Sequence, residues 1–267
     1  MKQMFHISDG VRLAVYQDGE GQPFVFQHGL CGDQAQPGQV FPHATGFFRM
    51  TVECRGHGQS EAGPLEAFSI TTFSDDIASA MAAVGVQRAV VGGISMGAAC
   101  ALRLAVKQPD LLRGLVIARP AWTTDPGPEN MLANLLAGDL LAQFPTDEAL
   151  RQFERSDVAS RLAAEAPDNL NSIRGFFVRQ PIAITSALLR AISSDGPGVT
   201  ETQIRALAIP TLVIGNSRDA VHPISYARTL ASWIPRAKFV EVTSKADDAQ
   251  AYQSDLREAL AAFLKKI

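Results

Sequence analysis

Cysteine is scarce in this chain. Cys31, Cys54 and Cys100 are the only three, an odd number without the paired spacing of metal ligands, which argues against a disulfide framework and for reduced thiols. No block of like charge occurs, and a formal net charge of -3 with a sequence pI near 6.0 gives no electrostatic reason for nucleic acid or an anionic membrane as partner. No apolar run is long enough to span a bilayer, and Met1-Lys2-Gln3-Met4-Phe5-His6-Ile7-Ser8-Asp9-Gly10 lacks the apolar stretch of a signal peptide. A cytoplasmic location and a small-molecule partner are the resulting expectations, with association into a homodimer left open. Histidine is scarce too: there are five, and none follows His222.

Hydrophobic residues, by contrast, make up 46% of the 267, enough for a sizeable core. The most informative stretch is Gly93-Ile94-Ser95-Met96-Gly97. It follows Ala89-Val90-Val91-Gly92, which has the β-branched, buried look of a central parallel strand. It precedes Ala98-Ala99-Cys100-Ala101-Leu102, small and apolar like a buried helix. A serine on so tight a strand-to-helix turn is the pattern of a nucleophile elbow. The glycines let strand and helix approach, the serine takes a strained backbone conformation, and its hydroxyl projects at a helix N-terminus that favours developing negative charge.

Residues 11–16, 24–27 and 50–53 read as strands bounded by Gly, Asp and Pro, and residues 71–84 as an amphipathic helix with Asp75 and Asp76 in its first turn. Residues 115–118 form a buried strand after the elbow helix. Alternation of strand and helix predicts an α/β fold: a doubly wound, mostly parallel sheet with helices on both faces. The alternation stops near Arg119 and resumes at 209–215. Between them, residues 131–141, 147–156, 157–166 and 181–192 carry helical spacing, punctuated by Pro126, Pro128, Pro167, Pro181 and Pro197. An α/β core over 1–121 and 199–267 with a helical cap insertion over 122–198 is expected, the cap either lining the crevice at the carboxyl edge of the sheet or adding only helical packing. Residues 238–242 and 249–264 close the chain as a last strand and an amphipathic helix.

Four motifs in order resemble the α/β-hydrolase family over nearly the whole chain. They are Gln27-His28-Gly29-Leu30-Cys31-Gly32, Glu53-Cys54-Arg55-Gly56-His57-Gly58-Gln59-Ser60, the elbow at Ser95, and Gly215-Asn216-Ser217-Arg218-Asp219. In that family the nucleophile, an acid and a histidine follow in that order, so the resemblance implies Ser95 as nucleophile and Asp219 as acid. It also implies an oxyanion hole from the backbone N–H groups of Leu30 and Met96, and structural roles for His28 and the turn holding His57. No cofactor or metal is implied.

A serine hydroxyl needs a general base within hydrogen-bond reach. The resemblance places the family's histidine in the loop after the last strand, but here that loop reads Val242-Thr243-Ser244-Lys245-Ala246-Asp247-Asp248. Three candidates stay open. His222 is close to Asp219 in sequence but sits in Val221-His222-Pro223, which reads as the start of a helix; His43 follows the oxyanion loop; Lys245 could form a serine–lysine dyad if burial lowered its pKa. Some family members that have lost the histidine bind ligands as receptors.

Arg119 follows a strand at the carboxyl edge, where its planar fork suits a carboxylate, and with Trp122 it could wall a pocket for an anionic substrate. An ion pair with Asp125 or Glu129 is the other reading. The sequence therefore carries two functional expectations. The first is a hydrolase acting on an ester, thioester, lactone or related activated carbonyl of a small carboxylate-bearing compound; the second is a non-catalytic ligand-binding protein on the same fold.

Overall fold

The computed structural model describes residues 1–43 and 45–267. Eight strands form one sheet: β1 (Lys2–Ser8), β2 (Val11–Gly19), β3 (Gln22–Gln27), β4 (Phe47–Val52), β5 (Ala89–Ile94), β6 (Leu112–Ala118), β7 (Thr211–Gly215) and β8 (Ala237–Glu241). Their spatial order is β1-β2-β4-β3-β5-β6-β7-β8, antiparallel from β1 through β2 to β4 and parallel from β4 onward. The mostly parallel, doubly wound sheet expected from the alternation is thus present.

The period-two pattern of the central strands explains why helices cover both faces. Val25, Val91, Leu115, Ile117 and Val213 point to one side, where they meet α2 (Ile70–Ala83), α3 (Met96–Lys107) and α10 (Ile224–Trp233). Phe24, Phe26, Val90, Val116, Leu212 and Ile214 point to the other, against α1 (Ala35–Val40) and α11 (Ala249–Leu264). Every residue of β5 is buried, as a fully covered parallel strand requires.

Between β6 and β7 the chain forms α4 (Leu132–Gln143), α5 (Thr146–Glu154), α6 (Asp157–Glu165), α7 (Pro167–Phe176) and α8 (Ile182–Ser193), then the short α9 (Glu201–Arg205). Helix α7 is not among the helices expected from the sequence, in which Pro167 reads as punctuation. Proline instead occupies its first turn, where the missing N–H costs nothing. This segment has its own apolar cluster, including Leu141, Phe153, Leu162, Leu170, Ile173 and Phe177, and Leu30, Cys31 and Ala220 pack against it. Those three belong to the loops after β3 and β7, so the helices rest on the carboxyl edge of the sheet. No helix of the described residues is long and apolar enough to cross a membrane.

Candidate active site

The site is assembled from loops at the carboxyl ends of β3, β5, β6, β7 and β8. Because α1 and α3 leave β3 and β5 toward opposite faces, the crevice opens between these neighbouring strands. Ser95 sits at that point with φ 56° and ψ -113°, a conformation that a residue with a side chain adopts only under strain. The flanking glycines make the turn feasible. A Cβ on Gly93 would lie 2.3 Å from the Gly97 carbonyl carbon, and one on Gly97 would lie 2.7 Å from the carbonyl oxygens of Gln27 and His28. Any larger residue would push α3 away from β5 or from the end of β3.

Ser95 is the N-cap of α3, yet its side chain makes no capping hydrogen bond. Its Oγ lies 2.8 Å from His222 Nε2. The other ring nitrogen, Nδ1, lies 2.9 and 3.0 Å from the two Asp219 carboxylate oxygens, and the His222 backbone N–H donates to Asp219 Oδ1 at 3.0 Å. Asp219 and His222 thus form a closed turn ahead of Pro223, in which the carboxylate fixes both the backbone and the ring. With Nδ1 protonated toward Asp219, Nε2 carries a lone pair facing the serine hydroxyl.

Behind Asp219 stands Arg119, whose Nε and Nη2 donate to Oδ2 at 2.9 and 2.6 Å and whose Nη1 lies 3.4 Å from the Tyr252 hydroxyl. Burial alone would raise the Asp219 carboxyl; the adjacent Arg119 charge, then the His222 ring, outweigh it and hold the group below the usual carboxylate range. Burial pushes the His222 imidazole below its ordinary 6.5, Asp219 pulls it back up, and Arg119 adds to the lowering. The resulting state is a neutral imidazole against an ionised carboxylate at neutral pH.

Asp219, Ala220, Val221 and His222 are held from outside as well. Asn169 Oδ1 accepts from the Ala220 and Val221 N–H groups at 2.7 and 3.2 Å, and Asn130 Nδ2 donates to the Val221 and Ala121 carbonyls at 2.7 and 3.0 Å. These asparagines come from the segment between β6 and β7.

The loop after β3 faces the elbow from the other side, since a Cβ on Gly29 would stand 3.4 Å from Ser95 Cβ. Among the described residues neither the Leu30 nor the Met96 N–H finds an acceptor. Two buried histidines shape this loop. His57 Nε2 accepts from Cys31 N–H at 3.0 Å while Nδ1 meets the Arg55 carbonyl; His28 Nε2 accepts from Cys54 N–H at 3.1 Å while Nδ1 meets the Gly29 carbonyl. Burial lowers both imidazoles, His28 to about 4 and His57 well below 6.5, so both remain neutral and keep these bonds. Their bracing position accords with the structural roles expected of them.

The other residues singled out in the sequence stand in different surroundings. Lys245 lines the cavity at Ser95, but its Nζ lies 3.0 Å from Asp168 Oδ1, and the hydrogen bond at the serine goes to His222 instead. Arg119 does line the cavity at Ser95, but its Nε and Nη2 are paired with Asp219, not with Asp125 or Glu129. Trp122 is buried in the core, with Nε1 donating to the Asp195 carbonyl, and does not line the cavity. Its ring belongs to the main apolar cluster of the core. His43 makes an edge contact with Phe41 and lies outside the cavity.

The cavity at Ser95 holds about 300 Å³ and is lined by Leu30, Ile173, Phe176 and Val221 together with the polar Asn134, Asn169, Ser172 and Lys245. A larger hollow of about 660 Å³ lies between β8 and α11, on none of these residues. Asn134 and Asn169 escaped the sequence reading. The available signal was a polar residue on a buried helical stripe, since Asn134, Ala137, Gly138 and Leu141 share one covered face of α4. Among the described residues no group of three or more His, Cys, Asp or Glu side chains is placed to hold a metal.

Comparison with known proteins agrees with this architecture. A 2-hydroxymuconate semialdehyde hydrolase of Pseudomonas putida is 30% identical over 248 residues, covering 87% of this chain and 83% of that protein. A hydrolase of the same description from Pseudomonas sp. strain CF600 is 28% identical, over 87% of this chain and 82% of its own length. In fold, the chain superposes on an enol-lactonase from Burkholderia xenovorans LB400 with a TM-score of 0.72 at 22% identity, covering 96% of this chain and 99% of that one. An esterase from Exiguobacterium antarcticum gives 0.75 at 19% identity over 99% and 100%. The family model described as the alpha/beta hydrolase fold matches residues 22–250, so with sheet order, elbow and relatives in agreement, the chain belongs to the α/β-hydrolase fold family.

Proposed function

We propose that the protein is a serine-dependent hydrolase of an ester, thioester, lactone or related activated carbonyl, with Ser95 as nucleophile, His222 as general base and Asp219 as the acid that orients it. The observation that carries this reading is the 2.8 Å contact between Ser95 Oγ and His222 Nε2, with Asp219 on the opposite ring nitrogen. The base thereby comes from the loop after β7. The family resemblance pointed to the loop after β8, and in that respect the chain is an atypical member. Hydrolase relatives of similar length support the reaction class.

In the proposed sequence Ser95 Oγ bonds to the carbonyl carbon as its proton passes to His222 Nε2. The carbonyl oxygen takes the electron pair and is met by the Leu30 and Met96 N–H groups. Collapse of this intermediate expels the alcohol or thiol, which receives the proton from His222. Water then attacks the acyl-serine, His222 takes its proton, and collapse releases the acid and returns the proton to Ser95. Asp219 keeps Nε2 directed at the serine and stabilises the transient imidazolium. Helices α4 to α8 act as a cap that closes the cavity over Ser95, supported by the cavity-lining positions of Asn134, Asn169, Ile173 and Phe176.

Short 4-nitrophenyl esters and thioesters, assayed beside Ser95→Ala, test the mechanism. Turnover is expected in the native protein and is expected to fall by at least about 10³-fold on loss of the hydroxyl. Turnover that survives the replacement overturns the serine mechanism, and ligand binding with no turnover in the native protein favours the non-catalytic reading.

The pH dependence follows from the neutral base. His222 must be unprotonated to accept the serine proton, and its pKa is lowered, so kcat/KM should hold level as pH falls through 6.5 and drop only below it. A half-maximal point above 6.5 would contradict the assignment of His222.

A further inference from the structure

Two asparagine side chains face the cavity without using their full hydrogen-bonding capacity. Asn169 is 3% exposed, and its Oδ1 is pinned by the Ala220 and Val221 N–H groups. Both donors require the oxygen at that position, which settles the orientation of the carboxamide and sends its NH2 to the opposite side. That NH2 has no acceptor among the described residues, although Asn169 lines the cavity that holds Ser95 and His222. Asn134, 5% exposed on the facing α4, makes no hydrogen bond at all, and its Oδ1 is buried and unpartnered. Helices α4 and α7 pack together, and both carboxamides line the same cavity.

A buried carboxamide left unpaired loses its hydrogen bonds to water without replacing them, which is costly. An apolar acyl chain filling the cavity would leave both groups in that condition. A ligand bearing an oxygen acceptor would satisfy Asn169 directly. Asn134, whose carboxamide has no hydrogen bond among the described residues, offers a second NH2 donor in the same cavity. Lys245 at the cavity mouth, paired with Asp168, adds a cation on the same side.

We propose that Asn134 and Asn169 form a substrate-binding subsite for a second acceptor oxygen, a keto or carboxylate group, so that the preferred substrates are oxo-acyl esters and lactones or half-esters of diacids rather than plain alkanoyl esters. The inference rests on the proposed hydrolase function, which it refines to a substrate class. It replaces the pairing of Arg119 with Trp122 as the element that recognises the polar end.

Binding to the Ser95→Ala protein separates this inference from the chemistry. Ligand-observed NMR titrations would use methyl oxoalkanoates with the keto group at carbons 3 to 6, monomethyl esters of four- to six-carbon diacids, and methyl alkanoates of matched length. The best oxygenated ligand should bind roughly five- to tenfold more tightly than its plain counterpart, the worth of one or two such hydrogen bonds. Gain confined to keto esters identifies a neutral carbonyl as the recognised group, and gain confined to half-esters identifies a carboxylate.

Asn169→Asp retains an acceptor for the two backbone N–H groups but loses the donors, and should erase the preference. Asn134→Leu provides a second variant on the other helix and should reduce it. Equal binding of oxygenated and plain ligands, or a preference unchanged in both variants, overturns the subsite. Selective binding combined with absence of turnover in the native protein would instead overturn the hydrolase reading and leave the subsite standing.

Discussion

His222→Gln should lower kcat/KM for an activated ester by about 10³-fold or more, with KM changed far less than kcat. Glutamine can still hydrogen-bond but cannot take a proton from serine at neutral pH. The expectation is specific to the proposed base because Lys245 stands where the family resemblance placed the histidine, and its ammonium is paired with Asp168. Lys245→Met should act mainly through KM and alter kcat within roughly tenfold, as expected for a partly exposed ion pair outside the proton path. Stopped-flow and steady-state assays of both variants decide between them. The residual hydrolysis of His222→Gln should also lose the fall in rate below pH 6.5. A larger kcat loss in the lysine variant than in the histidine variant would reverse the assignment.

Arg119→Met should destabilise the protein by about 3–5 kcal/mol, because it leaves the Asp219 carboxylate buried without its cation. The side chains are 10% and 2% exposed, so water can do little to replace the lost partner. For a chain of this size the loss corresponds to about 6–15 °C in Tm, readable by differential scanning calorimetry. Activity should fall as well. Without the Arg119 charge, burial is free to raise the Asp219 carboxyl, and a neutral acid orients and stabilises the imidazolium poorly. The double replacement Arg119→Met with Asp219→Asn removes the stranded charge, so it should be more stable than Arg119→Met alone while remaining inactive. A single variant as stable as the native protein would show that the pair contributes nothing to the fold.

The mostly parallel sheet and the elbow were legible in the sequence because each rests on local chemistry, whereas the place of Asp219 came from the family resemblance. Val90-Val91 and Leu115-Val116-Ile117 can only be buried strands, and Gly93 and Gly97 mark the close approach that their environment requires. The proposed base was legible only as one of three open candidates, since choosing among them depends on two loops meeting in space. The turn from Asp219 to His222 lies 127 residues from Ser95 in the chain, and Pro223 made it look like the mere beginning of a helix. An aspartate three residues before a histidine in a tight turn, with no later histidine, was the available sign. Arg119 was legible at the cavity but not in its pairing. Its fork does bind a carboxylate, but one supplied by the protein, and a sequence gives no measure of which carboxylate arrives first. Trp122 follows Arg119 closely enough in the chain to suggest the same wall, but it is buried in the core cluster and is not among the residues lining the cavity.

Asp219 and His222 are encoded within one four-residue turn. In the proposed mechanism, two of the three reacting side chains are therefore inherited as a unit, and one lesion between β7 and α10 would remove acid and base together. The reverse also holds. In the same proposed mechanism the loop after β8 takes no part in proton transfer, so insertions or exchanges around Lys245 would remodel the lining of the cavity and diversify substrate choice without disturbing the reactive centre.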